Sequence, residues 1–214
     1  MNVLTDNWDL ISDGFVTTLK LTVYCGLVAI VLGTALAACR VSPVPPLRWF
    51  ATAYVNIIRN TPLTLLMFVV ALGFPKLNIN LDFITFAVIA VGGYTAAFIC
   101  EAVRSGVNTV PLGQAEAARS LGMSFNQTLT LVVLPQALRA VVPPIGSLLI
   151  AMVRNSAIAS AFNVADLFGT YNQMLENGDN VILIFFWIAV GYLIITLSMS
   201  AAFAALEKKL AVAR

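Results

Sequence analysis

The sequence contains no histidine and few charged residues. Of its 214 residues, 10% are charged and 60% are hydrophobic, and the mean hydropathy is +0.92. A soluble domain has about 25% charged residues. Because so little polar surface cannot cover a water-soluble globule, the chain is predicted to be an integral membrane protein. The absence of histidine also removes the commonest proton carrier and metal ligand.

Other absences exclude further classes of function. The cysteines Cys25, Cys39 and Cys100 stand singly in apolar runs, which predicts neither a metal site nor a disulfide framework. With a net charge of +2 and no basic block, a nucleic-acid partner has no support. No Gly-x-x-x-x-Gly-Lys-Ser/Thr loop is present, so we expect no ATP hydrolysis and no cofactor bound by this chain.

Five apolar runs are each long enough to cross a membrane, which takes about 20 residues. They cover about residues 15–39, 50–74, 83–104, 141–162 and 181–206. Pro62 is predicted to kink or break the second run. The predicted fold class is therefore an all-α integral membrane protein with about five transmembrane helices. Residues 1–214 would form a single transmembrane domain, with a connecting loop at about 105–140.

The basic residues predict the orientation of these spans. Eight of the twelve Lys and Arg residues fall in the segments 40–48, 104–139 and 208–214. Cytoplasmic loops are enriched in Lys and Arg. We therefore expect these three segments on the cytoplasmic side, which places the N-terminus outside and the C-terminus inside.

The loop between the third and fourth spans has a pattern of its own. Residues 114–121 are rich in helix-forming residues and are followed by Gly122, a residue typical of a helix C-terminus. Ser124 and Gln127 form a capping box that predicts a second short helix, limited by Pro135. The first helix is slim and polar. It suits insertion into a groove on a partner protein or a position on the inner leaflet.

This loop resembles a signature of ABC importer permeases, which reads Glu-Ala-Ala, three residues, Gly, nine residues, Ile, any residue, Leu-Pro. The chain has Glu116-Ala117-Ala118 and Gly122, then Val132 in place of Ile, then Leu134-Pro135. Further segments resemble the polar amino-acid uptake branch, and the one that begins at Tyr54 is most similar to permeases of actinobacterial glutamate importers. These segments are residues 59–63, 101–106, 113–116 and 154–156.

The resemblance implies a role for the loop. In that family it forms a coupling helix that seats in a cleft of a cytoplasmic ATPase. By resemblance, the ATPase-coupling residues here are Glu116, Ala117, Ala118, Arg119 and Gly122. The chain would then be a permease subunit of an ATP-driven importer in a bacterial cell membrane. Its cargo would be a polar amino acid, with glutamate favoured over aspartate, glutamine and asparagine.

The resemblance also implies partners. A second permease chain, identical or paralogous, would complete the pathway because five spans are few to enclose one. Two cytoplasmic ATPase subunits would bind ATP and Mg, and an external solute-binding protein would deliver the amino acid.

Ionisable side chains at membrane depth are candidates for function because they are costly there. Arg154 would lie about 18 Å along the fourth span, followed by Asn155 and Ser156. Its guanidinium could hold a substrate carboxylate by a bidentate pair. Alternatively it snorkels outward or pairs with a neighbouring subunit. Arg59 and Thr61, beside Pro62, are further candidates for the substrate pathway.

Glu101 and Arg104 lie one helical turn apart at the inner end of the third span, and they predict a structural ion pair that Arg59 or a partner subunit could join. No acid lies deep in any predicted span. This argues against a cationic cargo and against an ion-gradient-driven secondary transporter, which needs such acids as ion sites. A non-transporting assembly subunit would not need Arg154. The small residues Gly92, Ala96 and Cys100 indicate close helix packing, within the subunit or across a dimer axis.

Overall fold

The computed structural model describes residues 2–210, which form helices and connecting turns without a strand. The predicted contribution of Arg214 to the basic C-terminal segment lies outside the described residues. The helices are α1 (Asn2–Asp6), α2 (Trp8–Val41), α3 (Pro45–Arg59), α4 (Leu63–Lys76), α5 (Phe83–Asn108), α6 (Leu112–Ser120), α7 (Phe125–Phe162), α8 (Thr170–Glu176) and α9 (Val181–Leu210). Three of these helices, α4, α5 and α7, contain a π-helical segment, and α7 ends in a 3₁₀ turn.

The predicted fold class is confirmed. Helices α2, α5, α7 and α9 are each long and apolar enough to span a membrane. Helices α3 and α4 together make a fifth candidate span, bent by 107° at the three residues between them. The break predicted at Pro62 is present, because proline removes a helical N–H donor and its ring clashes with the preceding turn. The run predicted at 50–74 is therefore two helices rather than one.

The prediction that Pro135 limits a short helix is wrong. Helix α7 begins at Phe125, beside the predicted capping box, and continues through Pro135 and through Pro143 and Pro144. The wide π-helical segment Thr128–Val133 ends two residues before Pro135, and a widened turn accommodates a proline ring without ending the helix. The fourth membrane helix thus starts well before the predicted residue 141, and the loop at 105–140 contains its first turns.

Small residues bring α2, α5 and α7 close together. A Cβ atom added to Gly33 of α2 would lie 2.8 Å from the Ala96 carbonyl oxygen of α5, and one added to Gly106 of α5 would lie 2.1 Å from Val141 Cγ2 of α7. Gly92 of α5 similarly approaches Val28 of α2. The predicted stripe of small residues on α5 therefore serves packing within the subunit.

The segment between α7 and α8 is seated in the helix bundle. Leu167 is fully buried and fits against Gly14 of α2 and Gly191 of α9, where added Cβ atoms would lie 3.0 Å and 2.4 Å from it. Asp166, which the sequence places in an outer polar loop, is also fully buried. Its carboxylate accepts hydrogen bonds of 2.9 Å from Gly169 N and from the Tyr192 hydroxyl. Burial raises the pKa of Asp166 above its ordinary value.

Candidate translocation path and coupling helix

One face of α7 differs from the other exposed faces of the bundle. Ala140, Pro144, Ser147, Ala151 and Arg154 recur at helical spacing and lie on one side of α7. Of these, Pro144, Ser147 and Arg154 are exposed and the two alanines are half-buried. By contrast, α2 and α9 expose bulky apolar side chains, which suit contact with lipid; these are Val23, Leu27, Val31, Phe186, Leu193 and Leu197. We call the small and polar face of α7 the α7 stripe.

Arg154 lies about halfway along the length of the helix bundle. Helix α7 meets Gly26 of α2 through Leu149 and Met152, and the adjacent part of α2 meets Gly92 of α5. Gly92 is about 14 Å from the first residue of α5, close to half of a ~30 Å hydrocarbon core. Arg154 follows Met152 directly and therefore has a similar depth. Its side chain is exposed and forms no hydrogen bond or ion pair with any residue of 2–210.

The two residues after Arg154 point in other directions. Ser156 is 1% exposed, and its hydroxyl donates to the Val153 carbonyl oxygen at 2.8 Å. Asn155 is half-buried. Of the three polar residues predicted here, Arg154 alone presents an exposed side chain on the α7 stripe.

The break between α3 and α4 is lined by polar side chains. Thr61 donates its hydroxyl to the Ile57 carbonyl oxygen at 2.8 Å, and Asn60 Nδ2 donates to the Asn56 carbonyl oxygen at 2.8 Å. These two bonds satisfy carbonyl groups in the last turn of α3, which lack helical partners. Arg59, the last residue of α3, therefore stands at the bend beside two side chains that are already engaged.

Glu101 of α5 forms ion pairs with three arginines. Arg104 of the same helix donates to Glu101 Oε2 from Nη2 at 2.9 Å and from Nε at 3.3 Å. Arg40 of α2 contacts Glu101 Oε1, and Arg59 Nη1 lies 3.8 Å from the same oxygen. The predicted ion pair of Glu101 and Arg104 is present, and Arg59 joins it as the sequence allowed. Sequence analysis missed Arg40, which is 61 residues from Glu101 along the chain. We call these four residues the Glu101 cluster.

The three arginines of the Glu101 cluster differ in how far their side chains are exposed. The Arg40 side chain is 14% exposed, whereas those of Arg59 and Arg104 are 42% and 40% exposed. Arg59 also lies over the Phe98 ring, 5.4 Å from its centroid, a cation–π contact that holds the guanidinium in place. Three positive charges share one carboxylate, so the cluster carries a net charge of +2.

The loop signature lies on an exposed helix. In α6, Glu116, Ala117 and Arg119 are exposed, whereas Ala118 is 5% exposed and faces the start of α7. Gly122 follows with φ +82°, a conformation that favours glycine. The predicted capping box is present, since Ser124 N donates to Gln127 Oε1 at 2.9 Å and Gln127 N to Ser124 Oγ at 3.4 Å.

Large apolar side chains lie at both ends of α6. Leu112 at its start is 81% exposed, Leu121 just after its end is 84% exposed, and Phe125 is 65% exposed. Polar Glu116 lies between them and forms no side-chain hydrogen bond within residues 2–210. Sequence reasoning missed these apolar residues, because their exposure is visible only once α6 projects from the bundle. Large exposed apolar side chains next to polar residues are typical of a protein–protein or membrane contact.

Comparison with known proteins identifies this combination of bundle and exposed helix. Residues 29–212 match the family described as the binding-protein-dependent transport system inner membrane component. The chain belongs to that family. It is 43% identical over 211 residues to the glutamate transport system permease protein GluC of Corynebacterium efficiens, and the match covers 92% of each chain.

Two further relatives extend this picture. The chain is 37% identical to the probable glutamine ABC transporter permease protein GlnM of Bacillus subtilis, over 98% of this chain and 97% of the relative. A solved structure, described as an amino acid ABC transporter with histidines, has a TM-score of 0.90 at 29% identity and 96% coverage of each chain. The chain is thus a multi-pass permease subunit of an ABC importer, located in the inner or plasma membrane.

Proposed function

We propose that this permease carries an acidic amino acid, glutamate in the first place, along the α7 stripe. The observation that carries the proposal is Arg154, an exposed guanidinium without a partner in residues 2–210, about halfway along the length of the bundle and on a polar helix face. The names of relatives support the cargo, since a 43% identical relative is a glutamate transport permease and a 33% identical one from Escherichia coli is a glutamate/aspartate import permease.

Arg154 can recognise a carboxylate by geometry as well as by charge. A guanidinium presents parallel N–H donors that match both oxygens of a carboxylate, and the pair gains strength where water is scarce. In an alternating-access cycle, substrate bound at mid-depth is exposed to one side and then to the other. ATP-bound partner subunits would stabilise one of these two states over the other.

The acids of the bundle support an anionic or neutral cargo. Both carboxylate oxygens of Asp166 accept hydrogen bonds from the protein, and both oxygens of Glu101 face arginines. Neither carboxylate is left to receive the side chain of lysine or arginine. Thr61 and Asn155 are the neutral polar candidates of the pathway, and Arg59 contributes positive charge at the α3–α4 bend.

Helix α6 would connect the permease to its energy source. Leu112, Leu121 and Phe125 would enter a cleft of a separate ATPase subunit, with Glu116 and Arg119 as polar contacts between them. That subunit would bind ATP and Mg and hydrolyse the nucleotide. The end of the bundle that carries α6 and the Glu101 cluster would face the cytoplasm, in agreement with the distribution of basic residues.

A second permease, identical or paralogous, would cover the α7 stripe. A polar stripe at bilayer depth is stable only against protein or a water-filled path, so it cannot face lipid. The complete importer would thus contain two permease chains, two ATPase subunits and an external solute-binding protein that delivers the amino acid.

The test is uptake of labelled glutamate by proteoliposomes that contain the complete transporter, with ATP supplied to the ATPase side. We expect Arg154→Ala to abolish most uptake and Arg154→Lys to retain part of it, because lysine keeps the charge but not the paired donors. Unlabelled aspartate should compete, whereas lysine should not. Unchanged uptake by Arg154→Ala would remove Arg154 from the substrate path.

A secondary transporter is the competing function, and the same vesicles distinguish it. An importer of the proposed kind loses uptake when the ATPase is omitted and keeps it when ion gradients are dissipated. The opposite pair of results would exclude the ATP-driven mechanism.

A further inference from the structure

A cavity of about 390 Å³ opens beside the Glu101 cluster, between α5 and α7. Its walls combine the charged pair with hydroxyl groups and small residues. They include Glu101, Arg104, Ser105, Thr109, Ala140 and Pro144. The sequence motif at 101–106 therefore contributes to a concave polar site in addition to its ion pair. The volume falls within the range of small-molecule sites.

The α7 stripe leads from Arg154 to this cavity. Pro144 and Ala140 belong both to the stripe and to the cavity wall. Pro144 is ten residues before Arg154, so the two lie about 15 Å apart along one face of α7. Ser147 and Ala151 lie between them and leave room for a small solute. The cavity is thus the next polar site on the path toward the end of the bundle that carries α6.

Arg104 has donors left over in this cavity. A guanidinium carries five N–H donors, and Arg104 uses its Nε and Nη2 groups toward Glu101. Its side chain is 40% exposed, and the cluster retains a net charge of +2. The electrostatics of the site therefore favour an anion even with Glu101 in place.

We infer that this cavity is a release site, in which Arg104 holds a carboxylate of the departing substrate and Glu101 competes with it. The inference rests on the proposed acidic cargo. Glu101 presents to Arg104 the same carboxylate chemistry as the substrate, at hydrogen-bonding distance. A resident competitor keeps substrate binding weak, and weak binding at the last site permits fast release into the cell.

The experiment measures inhibition of transport from the product side. Proteoliposomes with the complete transporter are loaded with ATP and increasing unlabelled glutamate, and the initial rate of labelled glutamate uptake is recorded. Glu101→Gln removes the competitor, so internal glutamate should inhibit at about two- to fivefold lower concentration.

Ser105 provides a second test that leaves the ion pairs intact. Its side chain is exposed and lines the cavity. Ser105→Asp adds a carboxylate and should raise the inhibitory internal concentration by about two- to fivefold. Ser105→Asn, a neutral change of equal size, should leave it unchanged. If Glu101→Gln fails to assemble, the comparison of Ser105→Asp with Ser105→Asn tests the release site on its own.

The outcomes separate this inference from the proposed function. If wild type imports glutamate with the expected dependence on Arg154 but Ser105→Asp and Ser105→Asn give equal inhibition curves, the release site is refuted and the cargo stands. If an assembled Glu101→Gln variant shows an unshifted curve, the competing role of Glu101 is refuted. Absence of glutamate transport by wild type would overturn both proposals.

Discussion

Replacing Leu121 by alanine tests whether α6 docks on an ATPase through its apolar ends. Leu121 is 84% exposed and follows α6 directly, next to the turn at Gly122. Complete burial of a leucine side chain is worth about 1.5–3 kcal/mol. Alanine keeps part of that contact, so Leu121→Ala should cost about 1–2 kcal/mol of docking free energy. This corresponds to about 5- to 30-fold weaker binding of the ATPase.

The assay is a titration of permease in nanodiscs with purified ATPase subunit, with the dissociation constant read by fluorescence. The matched control is Leu197→Ala, since Leu197 is 63% exposed but lies on the apolar face of α9. That control should bind as wild type does. ATP-driven uptake at limiting ATPase should fall for Leu121→Ala in parallel with binding.

One result would refute the reasoning. Because Leu121 is exposed, its truncation should alter the free energy of unfolding by no more than about 0.5 kcal/mol, so the variant is expected to fold. A folded Leu121→Ala variant that binds the ATPase within twofold of wild type would show that α6 does not dock through this residue. Equal loss of binding in both leucine variants would point to an unspecific effect.

Three further predictions concern the bundle. Gly106→Ala places a Cβ atom 2.1 Å from Val141 Cγ2, so it should lower the free energy of unfolding by about 1–3 kcal/mol and thus the melting temperature in detergent. Gly73→Ala is the control, because a Cβ atom there meets nothing within 4 Å, and it should leave the melting temperature unchanged. Asp166→Ala should lower the melting temperature because it leaves Gly169 N and the Tyr192 hydroxyl without their acceptor, and Asp166→Asn should restore it. A raised pKa means that Asp166 contributes most stability below about pH 4 and loses that contribution as pH rises through its folded value. The melting temperature of Asp166→Asn should therefore rise relative to that of wild type as pH increases. A difference in melting temperature that does not depend on pH would contradict the raised pKa of Asp166.

Most of the fold follows from local sequence. Apolar runs identify the spans because a lipid environment requires them, and Pro62 marks the α3–α4 break because proline acts on its own turn. Pro135 misleads for the opposite reason. Whether a proline ends a helix depends on the neighbouring turns, and here the segment Thr128–Val133 widens to accommodate it.

The site is predictable where a motif is continuous and not where distant residues meet. The coupling segment around Glu116 can be found in the sequence because its residues lie within one helix and turn. Arg40 and Arg59 reach Glu101 only through the packing of α2 and α3 on α5. The burial of Leu167 likewise depends on Gly14 of α2 and Gly191 of α9, and Asp166 finds its Tyr192 partner on α9, which no local pattern reveals.

The seat of Leu167 has a consequence for how the chain is made. One wall of the seat is Gly14 of α2, and the other is Gly191 of α9, which is far from Gly14 along the chain. During synthesis the segment 163–169 leaves the ribosome before α9, so Leu167 cannot occupy this seat until α9 has entered the bilayer. Asp166 lacks its Tyr192 partner until the same moment. A nascent chain that ends before α9 would therefore leave Leu167 without its Gly191 contact and the Asp166 carboxylate without its Tyr192 partner.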